Sequence, residues 1–152
     1  MLKLLSLCLL IPPAFAADSF YLGTWRIEGA AVAPWWTERG KPDAVETKAL
    51  LGKIFVIGAR SITGPRQLAC PDPRYKVIDS PSNMLFQGAF EEMRERDKSV
   101  DPAKIAASVG FRGSSWKTLE TGCGMEIDFH FIDPETIAFG LNNYIYKAKK
   151  QR

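Results

Sequence analysis

The chain has 152 residues, 46% of them hydrophobic and 24% charged, with a formal net charge of +3. That length makes one domain with a real core. A charge so near zero, without a concentrated basic face, argues against a nucleic-acid binder.

The first residues read as an export leader. Lys3 supplies a positive start, Leu4 to Ile11 an apolar core, and Ala14-Phe15-Ala16 the small-x-small pattern that a signal peptidase reads. The expected products are a signal peptide, residues 1–16, and a single mature domain, residues 17–152. The apolar run falls short of the ~20 residues a spanning helix needs. Ala17-Asp18-Ser19 after the cut offers no lipoprotein cysteine. An uncleaved anchor is the competing reading. No other run approaches spanning length, so no stable membrane span is expected after cleavage.

Of three cysteines, Cys8 leaves with the leader, and Cys70 and Cys123 remain. An even pair in an oxidising compartment reads as one disulfide closing a loop of about 50 residues. Two independent thiols are the alternative. Neither cysteine has the Cys-x-x-Cys spacing of a redox site or a second pair for zinc.

The mature chain opens with Phe20 to Glu28, in which Tyr21, Trp25 and Ile27 share one strand face with Gly23. The Gly23-Thr24-Trp25 opening resembles that of lipocalins and related calycin barrels, which implies a small antiparallel barrel. The chain departs from that family in lacking a Thr-Asp-Tyr signature and a helix of the usual length after the last strand. Gly29 to Gly40 reads as irregular and carries Trp35 and Trp36 beside Pro34. This pair is either a core plug or an exposed binding anchor, since such rings dominate interface hot spots.

Pro42 to Gly52 reads as a short helix with Val45, Ala49 and Leu50 as its stripe and Gly52 as its stop. Lys53 to Ala59 follows as a strand whose near-continuous apolar character implies burial on both faces. Ser61 to Pro65 is a short strand or turn, Cys70-Pro71-Asp72-Pro73 a rigid bend, and Arg74 to Asp79 an alternating strand. Phe90 to Lys98 mixes charges of both signs and reads as an exposed loop or solvated helical turn. Asp101-Pro102 starts a second helix, with Asp as N-cap and Pro at the first helical position, and Gly110 ends it. Phe111 to Leu119 returns to extended structure with Trp116 inward.

From Glu126 to Phe131 the residues alternate. Ile127, Phe129 and Phe131 point one way, and Glu126, Asp128 and His130 the other. If the polar side lines a cavity, His130 with Asp128 has the groups for general acid–base work, or the trio for holding a metal. If it faces water, nothing follows. Residues two apart on a strand lie farther apart than a catalytic hydrogen bond requires. Asp133-Pro134 then makes a turn, and a closing strand ends at Tyr146.

The fold class expected is mainly β: a small antiparallel, lipocalin-like β-barrel with two short helices and one Cys70–Cys123 disulfide. Nucleophile elbows, zinc-protease helices and phosphate loops are missing from the sequence, and no cofactor is called for. Enzyme is therefore the minority reading, a hydrolase using His130 with Asp128 and Glu126. Its rivals are a carrier of a small apolar ligand and a module that binds a protein partner in the envelope. Dense core candidates (Trp25, Phe55, Trp116, Phe129, Phe131 and Phe139) favour a filled interior over a carrier's cavity. In size, export and architecture the chain resembles the periplasmic lysozyme inhibitors, which implies binding to a cell-wall-degrading enzyme. With Gly23-Thr24-Trp25, Leu50-Leu51-Gly52-Lys53 and Cys70-Pro71 before Tyr75, it also resembles an uncharacterised family of bacterial exported proteins. The expected location is periplasmic or secreted. Glu126, Asp128, His130, Trp35 and Trp36 are the candidate binding residues.

Overall fold

The computed structural model describes residues 19–124 and 126–152; the expected leader lies outside the described residues. Eight strands form one antiparallel sheet: β1 (Gly23–Val32), β2 (Ile54–Ile57), β3 (Ile62–Thr63), β4 (Lys76–Ser80), β5 (Trp116–Glu120), β6 (Phe129–Asp133), β7 (Thr136–Leu141) and β8 (Tyr144–Lys150). Their order is β3-β2-β1-β8-β7-β6-β5-β4. That is an up-and-down meander whose first and last strands pair, and whose one missing neighbour pair is β3 with β4. The sheet curls, and the Cys70–Cys123 disulfide joins its two edges, with Cα atoms 6.0 Å apart. Cys70 belongs to the β3 side through its bridge with Ile62, and Cys123 follows β5, the partner of β4. Tyr75, just before β4, donates from its hydroxyl to the Gly58 carbonyl at 2.8 Å across the same seam.

The concave side is filled with rings. Trp25 and Phe55 face each other across β1 and β2, and Phe139 and Tyr146 across β7 and β8. Phe55 stacks on Phe129 at 5.4 Å and Phe139 on Tyr146 at 5.2 Å, while Phe131 meets Trp25 edge-on at 6.0 Å. Such offset and edge contacts add about 0.5–1.5 kcal/mol per pair beyond burial. Lys150 crosses beside Gly23, donates to the Phe20 carbonyl and lies 5.4 Å over the Trp25 ring. Gly23 has a φ of 142°, a conformation that favours glycine, and an added Cβ would sit 2.8 Å from Lys150 Cε and push that flexible end aside.

A second core lies on the convex side of β5–β8, where Phe86, Phe90, Ala106 and Phe111 cover Trp116, Ala138 and Ile145. Among the described residues three α-helices accompany the sheet, against an expected two: α1 (Val45–Leu50), α2 (Leu85–Arg96) and α3 (Pro102–Ser108). The segment Phe90 to Lys98 is the correction. Its charges decorate the outer face of α2, and Phe90 and Met93 supply an apolar edge too sparse to register as a stripe. The Asp101-Pro102 start behaves as its chemistry demands, with the Asp101 carboxylate accepting from the N–H groups of Ala103 and Lys104.

Several other expectations are revised. β1 runs on to Val32 through the stretch expected to be irregular, with a bulge between Ile27 and Gly29. β2 is buried on one face only, for Ile54 and Val56 are 43% and 37% exposed. The strand buried on both faces is β7, between the ring core and the helices. Trp116 points into the helix layer rather than the barrel. Glu126 and Asp128 precede the strand, which begins at Phe129, because Glu126 has a left-handed φ of 49° that breaks the extended run.

Candidate functional site

The turn that opens α2 is left-handed over three residues, Phe86 (φ 52°), Gln87 (φ 55°) and Gly88 (φ 80°). Two of the three carry a Cβ, at roughly 1–2 kcal/mol each. His130 holds this turn. Its Nε2 accepts the Phe86 N–H at 2.9 Å, and its Nδ1 lies 2.8 Å from the Thr118 hydroxyl oxygen. Because Nε2 accepts, the neutral ring carries its proton on Nδ1 and donates it to Thr118. The ring sits edge-on to Phe86 at 4.8 Å and is 1% exposed. Desolvation pulls its pKa from 6.5 down to about 3. With both nitrogens engaged inside the convex core, His130 has no free atom with which to exchange a proton with a substrate.

Asp128 is half-buried at the rim of a small cleft of about 200 Å³, beside Gln87, Gly88, Thr118 and Glu120. Its pKa is raised, chiefly by desolvation, while its hydrogen bond with Gln87 acts the other way and nearby Glu120 adds repulsion. Gln87 also donates to the Glu126 carbonyl at 2.9 Å, and the Glu126 side chain is exposed. Asp128 and His130 therefore share the convex side but not an environment: one is at a cleft rim, the other under the helices. Among the described residues, no three histidine, cysteine or carboxylate side chains gather as metal ligands.

The tryptophans also part company. Trp35 lies on the sheet, its Nε1 donating to the Asn142 carbonyl at 2.9 Å and its ring 5.7 Å from Phe86. Gly140 makes room, since a Cβ there would stand 3.2 Å from the indole. Trp36, half-buried, donates to the Gly40 carbonyl at 3.2 Å. Trp35 thus packs on the convex core, and Trp36 on neither core.

Glu126, Asp128, His130, Trp35 and Trp36 do not line a larger cleft, of about 540 Å³, between α1 and the β7–β8 hairpin tip. Val45, Glu46, Gln67, Asn142 and Tyr144 are among its lining, and Val45 is 68% exposed. The carboxylate of Glu46 organises the cleft, accepting from Tyr146 Oη at 2.8 Å and from the Asn142 amide. Tyr144 donates to the Pro42 carbonyl at 2.8 Å. Asn142, left-handed at φ 50°, also borders a neighbouring cleft of about 300 Å³ lined by Trp35, Gln87, Met93 and Arg96. Of those five, only Trp35 lines either cleft of this pair. The Asn142-Asn143 dipeptide between two strands was the one signal that could have drawn attention to this end.

No family model, no curated protein and no solved structure matches the chain. Among the described residues no helix is long and apolar enough to cross a membrane.

Proposed function

We propose that the chain is an exported binding module that engages a protein partner in the bacterial envelope, through the paired clefts around Asn142. The observation carrying this reading is the cleft between α1 and the β7–β8 tip. At about 540 Å³ it presents the most exposed large apolar side chain of the described residues, Val45, beside the amides of Gln67, Asn142 and Asn143. A mixed floor of this kind suits a protruding loop of a protein, with an apolar anchor and polar groups at its rim. Inhibition of a cell-wall-degrading enzyme is the narrower form of the same reading. The stacked rings on the concave side weigh against a ligand carried inside, and the engagement of both His130 nitrogens weighs against hydrolysis. The leader-like N-terminus and the disulfide support a periplasmic or secreted location.

A photo-crosslinking residue placed at Val45 in the native host tests the reading. The expected result is one discrete adduct with an envelope protein, absent when the same residue replaces Lys76, exposed on the edge strand β4. A co-purifying lipid or metabolite in native mass spectrometry, with no adduct from Val45, would overturn it.

A further inference from the structure

The helix layer stops at Ile145, and beyond it the convex surface of β8 and β1 is uncovered. There a cleft of about 240 Å³ opens under the end of α3, lined by Gly29, Ala31, Val109, Ile145 and Lys147 together with Ala30 and Ser108. Gly29 faces Lys147, and Ala31 faces Ile145, across the β1–β8 ladder. The floor and walls are mainly apolar, and the cleft is open at the position of Gly29, where an added Cβ meets no atom within 4 Å.

One charge stands at the rim. The Lys147 ammonium rests against Gly110, 2.9 Å from where a Cβ of that residue would be. This is the C-terminal end of α3, where backbone carbonyls favour a cation. Among the described residues Lys147 forms no ion pair and no side-chain hydrogen bond. Glu28, the nearest acid in sequence, lines no part of the cleft. Lys147 is exposed: its stem lines the trough, and its ammonium stands beside the end of α3 at Gly110 with no carboxylate partner.

The geometry points to a site for a small amphipathic anion, a medium-chain carboxylate whose tail fills the trough and whose head meets Lys147. The volume admits on the order of eight non-hydrogen atoms, at about the 30 Å³ a water occupies in the liquid. Ligands of that size bind weakly, with Kd on the order of millimolar. The site is outside the barrel, and it does not depend on the paired clefts around Asn142.

Titration of the isotope-labelled mature chain with straight-chain carboxylates, followed by amide NMR shifts, tests the assignment. Affinity is expected to rise about fourfold per methylene, the equivalent of ~0.8 kcal/mol per buried CH₂. It should level off near octanoate, when the trough is full. The shifts should centre on Gly29, Ala31, Val109 and Ile145. Lys147→Met, which keeps the aliphatic stem, is expected to weaken octanoate about three- to fivefold and leave octanamide unchanged. Gly29→Leu fills the trough and should abolish binding. Ala31→Phe does the same from the next position, should the first variant disturb the bulge. Affinity that climbs beyond decanoate without levelling, shifts centred on the concave rings, or full binding by both filled variants would each overturn the site.

Discussion

The Nε2 of His130 accepts the backbone N–H of Phe86 at 2.9 Å, and this one bond joins the sheet to the left-handed turn that starts α2. A buried acceptor in that role has to stay neutral, because a protonated ring would turn a second donor toward the amide. The lone histidine of the sequence is in this way a joint of the convex core.

The joint predicts a pH dependence with a definite sign. The folded pKa of about 3 lies below the unfolded 6.5, so the unfolded chain binds the proton first. The contribution of neutral His130 is complete above pH 6.5 and is lost as pH falls from there toward 3. The slope approaches 1.36 kcal/mol per pH unit, which makes roughly 2 kcal/mol by pH 5. His130→Leu should cost about 1–3 kcal/mol at pH 7, by leaving the Phe86 amide unpaired. The gap between the variant and the native chain should then narrow as pH falls. Urea unfolding of both between pH 7 and pH 5 measures it, and a constant gap would contradict the assignment.

The disulfide holds the seam that no strand pair closes. Its cysteines are 53 positions apart, a loop for which chain entropy gives about 4 kcal/mol. Replacing both with alanine should lower stability by about that amount. Hydrogen exchange should rise first at β3 and at the start of β4, while β7 and β8 stay protected between their two cores. Uniform loss of protection would mean that the bridge acts on the whole fold at once.

Much of the architecture was legible because it rests on local chemistry. Asp101-Pro102 caps a helix, Asp133-Pro134 makes a turn, and Cys70 and Cys123 pair. The failures have physical causes too. α2 is held by Phe86, Phe90 and Met93 against a sheet face that no local pattern announces, so its charges dominate the reading. Glu126 to Phe131 has a strand's alternation, but the left-handed Glu126 breaks the run and the strand starts only at Phe129. His130 drew attention as a lone histidine among carboxylates, and only the tertiary fold puts it beneath Phe86. The clefts around Asn142 join α1 to a hairpin nearly a hundred residues later, a separation over which periodicity carries no information.

At Gly88 the left-handed turn predicts a purely conformational cost. A Cβ there would meet only the Asn83 carbonyl, at 3.9 Å, so space is no obstacle. With φ at 80°, Gly88→Ala should destabilise by about 1 kcal/mol, the backbone penalty less what the stiffer unfolded chain returns. Thermal unfolding measures it. A stabilised variant would show that the turn relaxes to an ordinary helical start, and the Phe86–His130 bond would then be lost with it.

A hydrogen bond to the ring core fastens α1 at the sheet's end. Tyr146 is fully buried among the rings, yet its hydroxyl reaches Glu46 on α1 at 2.8 Å. Burial and the Glu46 carboxylate both push its pKa up, so the phenol stays protonated and donates. A hydrogen bond to a charged acceptor contributes about 1.5–3 kcal/mol. Tyr146→Phe and Glu46→Gln should each destabilise, and the double variant should lose less than the sum of the two. If the bond fastens α1, the single variants will also speed amide exchange at Lys48 and Leu51 while leaving β8 unchanged. Because Val45 rides on the same helix, they should blur the crosslinking at that position. Additive losses with α1 unaffected would separate the helix from the tyrosine, and with it the cleft from the core.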